Sequence, residues 1–241
     1  MMQFTVGSHE LEIIKTARRG SIGLKVEPNR IALMVPKQLA DAAITAFVES
    51  EQGWLLQQIQ EQQSQMPKQL VMKSGHELLL FGEKVMFKED HHTQVKKMNL
   101  VYDDTCITVF CKQSRTLKNE RHHVYRHLVD FYHQQLNPYL LAQVAEWEKR
   151  IGVQTQAVQI KNYRSRWGSC YSDGRVQFNW KLVMAPKAVI DYVVVHELCH
   201  LVHANHSSDF WGLVAKHCPD YEMHKAWLKE NGAALIAFQA A

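Results

Sequence analysis

Over roughly the first 36 residues, apolar and polar positions alternate with a period near two. Residues 9–15, 22–26 and 30–35 carry this alternation or short apolar runs, and Gly20-Ser21 and Pro28-Asn29 punctuate them, which predicts strands joined by turns. Arg18-Arg19 beside Gly20 predicts a small basic hairpin tip. Over residues 38–63 the period lengthens to that of a helix, with Leu39, Ala43, Phe47, Trp54, Leu55 and Ile59 on its buried side. Its glutamine-rich tail leads into a linker before Pro67. A second strand-rich block follows at residues 69–72, 77–81, 84–88, 99–102 and 106–110. Its breaks at Ser74-Gly75, Phe81-Gly82, polar 90–97 and Asp103-Asp104 predict a meander of hairpins.

From about residue 117 to 150 the pattern is helical again. Val124, Leu128, Phe131, Leu136, Leu140, Val144 and Trp147 recur every three or four positions, and Pro138 predicts a kink or two abutting helices. Residues 157–160 and 175–179 form two further strands around the segment 163–170, with Ser172-Asp173-Gly174 as a turn. Pro186 suits the first turn of a helix through Ala188 and Val195. Its β-branched run has poor helix propensity, so the helix needs burial on most faces. Ser207 or Ser208 then caps a short helix bearing Phe210, Trp211, Val214 and Ala215. Pro219-Asp220 opens a last helix with Trp227 and Leu228, ending near Asn231-Gly232.

Composition narrows the class without deciding it. With 46% apolar and 22% charged residues the chain has the makeup of a soluble globular protein. A net charge of +4 permits an acidic partner and does not require one. No apolar run approaches the ~20 residues that span a bilayer, so no membrane partner is expected. The start, Met1-Met2-Gln3-Phe4-Thr5, lacks the blocks of a signal peptide. Five cysteines with no Cys-x-x-Cys pair argue for reduced thiols and a cytoplasmic setting.

The chemistry concentrates at His196-Glu197-Leu198-Cys199-His200. On a helix His196 and His200 stand one turn apart on one face, where two imidazoles can bind one Zn²⁺ with Glu197 close enough to handle a water. Fourteen histidines in 241 residues make the bare motif a chance event on the order of 0.05. His9-Glu10 and His76-Glu77 serve as internal controls, since Ile13 and Leu80 stand where a second histidine is needed. The apolar helix around His196 separates it from such accidents. His123 and His127 are also four apart, with no accompanying glutamate, and read as surface histidines; so do His91-His92, in a polar loop.

A hydrolytic zinc site usually has three protein ligands and an open position. The candidates for the third are His203, His206 and Glu222. His203 would sit ~10 Å along an unbroken helix from His196, too far for one ion. His206 requires the helix to stop near Ala204-Asn205 and turn back, through an Asn that tolerates the left-handed conformation. The His-Glu-x-x-His-x-x-x-x-x-His spacing equals that of metzincins, but His203 stands at their glycine turn and nothing marks a Met-turn. Glu222 would be the solution of a site completed from the next helix.

Arg166-Trp167-Gly168-Ser169-Cys170, Asn179, Pro186, residues 192–201, Asn205-His206-Ser207 and Phe210-Trp211 together resemble the YgjP-like metallopeptidase family, akin to SprT-like and WLM zinc proteases. Arg18-Arg19, Pro36, Gly75 and Gly82 extend the resemblance over nearly the whole chain. It implies one Zn²⁺ per chain held by His196, His200 and His206, with Glu197 catalytic. The expected fold is α+β: a β-rich N-terminal part with one helix (residues 1–112), followed by a small zincin-like domain (residues 113–241). That domain would hold an antiparallel sheet, the active-site helix and flanking helices.

The implied reaction is hydrolysis of a peptide or protein substrate, in which zinc activates water and Glu197 acts as general base. Tyr163, Arg166, Tyr192, Tyr221 and His224 are candidates for contacts to the substrate or transition state. The strand before the ligand helix offers an edge for an extended peptide. Two alternatives stay open: a non-peptide substrate such as a nucleotide phosphoanhydride, and a nucleic-acid-associated protease. For the latter Arg164, Arg166 and Trp167 would contact nucleic acid, unless Trp167-Gly168 is a buried corner against the ligand helix.

Overall fold

The computed structural model describes every residue except 1–2, 18–19, 28–29, 65–69, 71, 93–94, 96, 113–119 and 239–241. The Arg18-Arg19 tip, the Pro28-Asn29 turn and the approach to Pro67 therefore lie outside the described residues, as do Gln69 and Val71 of the strand expected at 69–72. The chain is α+β and divides into two compact units, Met1–Pro67 and Lys68–Ala241.

In the first unit β1 (Gln3–Val6), β2 (His9–Thr16), β3 (Gly23–Glu27) and β4 (Arg30–Pro36) form a sheet of order β1-β2-β4-β3. Two hairpins join through a parallel β2–β4 pair. The helical stretch expected as one element is two, α1 (Asp41–Ser50) and α2 (Gln52–Ser64), parted at Glu51. Its buried stripe is rotated from the expected one. Ile44 and Val48 enter the core with Leu55 and Ile59, while Ala43 is exposed and Trp54 keeps 45% of its surface. Ile44 and Val48 are both longer-armed than Ala43, so turning them inward buries more apolar area.

The second unit begins with β5 (Glu77–Leu80), β6 (Glu83–His92), β7 (Asn99–Tyr102) and β8 (Cys106–Lys112). These do not form a meander. The order is β5-β6-β8-β7 with β6 and β8 parallel, the same pairing scheme as in the first sheet. His91 and His92 end β6 rather than lying in a loop. The two-residue β5–β6 turn places Phe81 at φ 52° and Gly82 at φ 84°, the left-handed pair a tight hairpin requires. A Cβ on Gly82 would also stand 2.9 Å from Pro186, just before the ligand helix. Gly82→Ala is accordingly expected to lower stability by about 2–4 kcal/mol, seen as a fallen urea midpoint at unchanged slope.

α3 (Glu120–Ile151) is one helix with Pro138 inside it, so of the two expected outcomes, a kink or two abutting helices, the second does not occur. Its buried positions Val124, Leu128, Phe131, Tyr132, Leu136, Leu140 and Val144 press on one large core shared with β5–β8 and all that follows. The Tyr132 ring stacks on Trp180 at 5.9 Å, and its hydroxyl donates to Leu79 O at 2.9 Å. The strands β5–β8 thus share their core with the C-terminal helices.

β9 (Ala157–Lys161), β10 (Gly168–Cys170) and β11 (Arg175–Asn179) form a third sheet of order β10-β11-β9. It is mixed rather than antiparallel, because β11 pairs with β10 antiparallel and with β9 parallel. A 3₁₀ turn (Trp180–Met184) leads to α4 (Lys187–Cys199), α5 (Ser208–His217) and α6 (Tyr221–Ala237). α6 continues five residues beyond the expected stop at Gly232. A Cβ there would meet Trp167 Cζ2 at 3.0 Å, so this glycine makes room for a ring rather than ending a helix.

Candidate metal centre

α4 is helical despite Val189, Val193, Val194 and Val195 because the core takes up nearly its whole circumference. Burial of those side chains outweighs a propensity cost of a few tenths of a kcal/mol each. Tyr139 OH donates to Asp191 Oδ1 at 2.7 Å and pins α4 to α3. The helix ends at His200 in the ordinary right-handed region, and Leu201 N and Val202 N bond back to Leu198 and Cys199 carbonyls at 3.0 and 3.1 Å. The tightened turn is what lets the chain reverse. Asn205 contributes otherwise than expected: it is not left-handed, and its Oδ1 accepts from Ser207 N at 3.2 Å. Ser207 then caps α5, accepting from Phe210 N at 3.4 Å.

This reversal carries His206 onto the ligand face of α4. Its Nε2 lies 3.1 Å from His196 Nε2, and the three imidazoles of His196, His200 and His206 each offer a nitrogen within 4.8 Å of the others. His200 Nδ1 stands 3.1 Å from His203 O, a contact that fixes the proton there and leaves Nε2 to face the cluster. His203 therefore serves through its backbone. Glu222 is exposed and lies 3.7 Å from Lys225, outside the cluster.

Two aromatic side chains that the sequence left without a role hold these rings. Phe210 stacks on His200 at 4.4 Å, and Trp211 stacks on His206 at 5.6 Å. Their i, i+1 placement at the start of α5 was visible, but nothing in the spacing tells that Phe210 meets all three imidazoles and Trp211 those of His196 and His206.

Glu197 is buried, 6% exposed, beside the imidazoles. Burial pushes its carboxyl up to about 8, with Arg166 opposing the shift. Burial, followed by the charges of His200 and His206, pushes His196 down to about 3, so its imidazole is held neutral, as a metal ligand must be. Around them lies an open cavity of about 580 Å³, lined by residues 168–172 of β10 and its turn and by α4 and the reversal. Gly168 is the closest approach, where a Cβ would stand 2.5 Å from Glu197 Oε1. Gly168→Ala must displace that carboxyl. We expect kcat/KM to fall at least ~100-fold with a stability loss of only ~1–3 kcal/mol, by steady-state kinetics and urea melts.

The segment before β10 is fastened by Asn179, fully buried, whose Nδ2 donates to Tyr163 O and Arg166 O, both at 3.0 Å. Of the five contact candidates Tyr163 and Arg166 belong to this segment, and none of the five is among the residues lining the cavity. Tyr163 donates to Gln177 Oε1, with the Arg166 guanidinium 4.9 Å over its ring. Tyr192 is buried edge-on to His196 and beside His224, and Tyr221 stacks on Trp211 at 5.3 Å. Tyr171, absent from the expected set, does line the cavity. Trp167 is half-buried and packs against Gly232 of α6 rather than against the ligand helix.

The donor set suits a metal: three converging imidazoles, one with its second nitrogen already engaged. A family model for the YgjP-like metallopeptidase domain matches residues 20–231. The chain belongs to the YgjP-like family. Membership implies a metal ion and protein substrates. Comparison with curated proteins gives no match. Among solved structures, the metallopeptidase zymogen abylysin of Pyrococcus abyssi is similar over 37% of this chain and 92% of that one, at 20% identity. The TM-score is 0.35, too low for that likeness to bear on the site. No helix among the described residues is long and apolar enough to cross a membrane.

Proposed function

We propose that the chain is a zinc-dependent peptidase in which His196, His200 and His206 hold one Zn²⁺ and Glu197 is the general base. The observation that carries this is the convergence of the three imidazole nitrogens within 4.8 Å, beside a buried carboxyl at the wall of an open cavity. Bound there, zinc would supply Lewis acidity toward the scissile carbonyl and toward water. Glu197, with a carboxyl raised to about 8 by burial, has the added basicity that suits taking a proton from water and returning it to the leaving amine. The positive charge of Arg166 opposes that shift and favours the carboxylate form.

The substrate edge is β10 rather than the strand before the ligand helix. β11 is flanked by β10 and β9, whereas β10 is an edge strand and its residues Gly168–Cys170 line the cavity. An extended peptide laid along β10 would gain main-chain hydrogen bonds and pass beside Glu197. A nucleotide has no such complement here: the cavity-lining residues 168–172, 196–197, 200–202, 204 and 206 include no Lys or Arg to receive phosphates. The test is to strip the protein with chelator, restore Zn²⁺, and follow casein and nucleoside triphosphates side by side. Casein cleavage that vanishes and returns with zinc is expected; zinc-dependent triphosphate hydrolysis without casein cleavage would replace this reading.

A further inference from the structure

The second unit holds another group of metal-capable side chains, away from the His196 cluster in sequence and built on a different sheet. We propose that Glu89, His91 and Cys111 form a second divalent-cation site, with Glu120 orienting His91. The parallel register of β6 and β8 sets His91 directly opposite Cys111. Glu89 precedes His91 by two, so the period-two rule puts it on the same face. One ligand atom from each of the three lies within 4.8 Å of the others.

The two imidazole nitrogens face different carboxylates. Glu89 Oε2 is 3.8 Å from His91 Nε2, and Glu120 Oε1, from the first turn of α3, is 3.3 Å from Nδ1. In a tetrahedral zinc site with bonds of ~2.0–2.3 Å, neighbouring ligand atoms stand ~3.3–3.8 Å apart, a separation Glu89 Oε2 and His91 Nε2 already have. A cation on Nε2 with Glu89 and Cys111 leaves Nδ1–H to donate to Glu120, the outer carboxylate that metal-bound histidines commonly have. Glu120 Oε1 is buried and has no hydrogen bond among the described residues, which that N–H would supply. The neighbouring Asp90 and His92 project to the opposite face and pair with each other at 2.9 Å. Nitrogen, sulfur and carboxylate donors together suit zinc, or cobalt in its place, over calcium or magnesium. His91 keeps 41% of its side-chain surface, so an ion has a way in.

The probe is Co²⁺ alone, titrated into the metal-free full-length chain, in wild type and in His196→Ala/His200→Ala. A bound thiolate gives cobalt a charge-transfer band in the near ultraviolet, which three imidazoles cannot. The expected result is one such band in both proteins, at one equivalent in the double variant. It should be lost in Cys111→Ser and in His91→Ala, the latter at an exposed position that spares the fold. Glu120→Gln should keep the band and weaken Co²⁺ binding ~10–100-fold. No band in folded protein, or a band that survives His91→Ala, would overturn the site and leave an ordinary Glu–His–Glu ion-pair cluster. Neither outcome depends on whether the chain cleaves peptides.

Discussion

Glu197→Gln is expected to lower kcat/KM for a peptide substrate by ~10²–10⁴ while leaving the metal in place. The magnitude is that of a lost general base. The amide has the size of the carboxyl, so it fits the slot against Gly168, where even one added carbon would stand 2.5 Å from the native oxygen. It cannot accept the proton of water. Glu197 is not among the residues whose ligand atoms cluster, so metal affinity has no reason to fall. Loss of the metal in this variant would show instead that the carboxylate binds the ion.

His206→Ala is the second large effect, of a different kind. It removes one of three converging nitrogens and leaves His196 and His200 as a two-point clamp. Outer partners of metal ligands alone are worth ~10–100-fold in affinity, and a ligand is worth more. Dialysed protein should therefore lose its zinc and its activity together, by elemental analysis and peptide assay. His203→Ala is the matched control. Only the His203 carbonyl meets His200 Nδ1, at 3.1 Å, and alanine keeps that carbonyl. Zinc should stay.

The histidines that converge in the candidate site were more legible in the sequence than the pairing of the strands around them. His196 and His200 follow from helix geometry, since four residues make one turn. The choice among His203, His206 and Glu222 could not follow from spacing, because it depends on how α4 ends. It ends by tightening its last turn, which no residue type marks as Gly or a left-handed Asn would. Strands were placed well, but their partners were not. The β2–β4, β6–β8 and β9–β11 pairs are parallel, and parallel pairing joins residues distant in the chain. Local alternation carries no sign of it.

Glycine misled in one instance and was silent in another. Gly232 reads as a helix stop because glycine usually punctuates, yet it lies within α6 and gives space to Trp167. Gly168 read as part of a corner; that it is spaced for the Glu197 carboxyl appears only once β10 and α4 are side by side. Pro138 sits inside α3, so its sequence warning of a break overstated the outcome. Tyr171 was missed because a tyrosine next to Ser172-Asp173-Gly174 looks like any turn residue.

In the proposed mechanism the histidines hold the metal and Glu197 moves the proton. That division of labour is tested most directly by measuring zinc content and peptide cleavage on the same preparation of Glu197→Gln. Zinc equal to wild type with cleavage lowered at least ~100-fold is the predicted result; wild-type cleavage at equal zinc would contradict it.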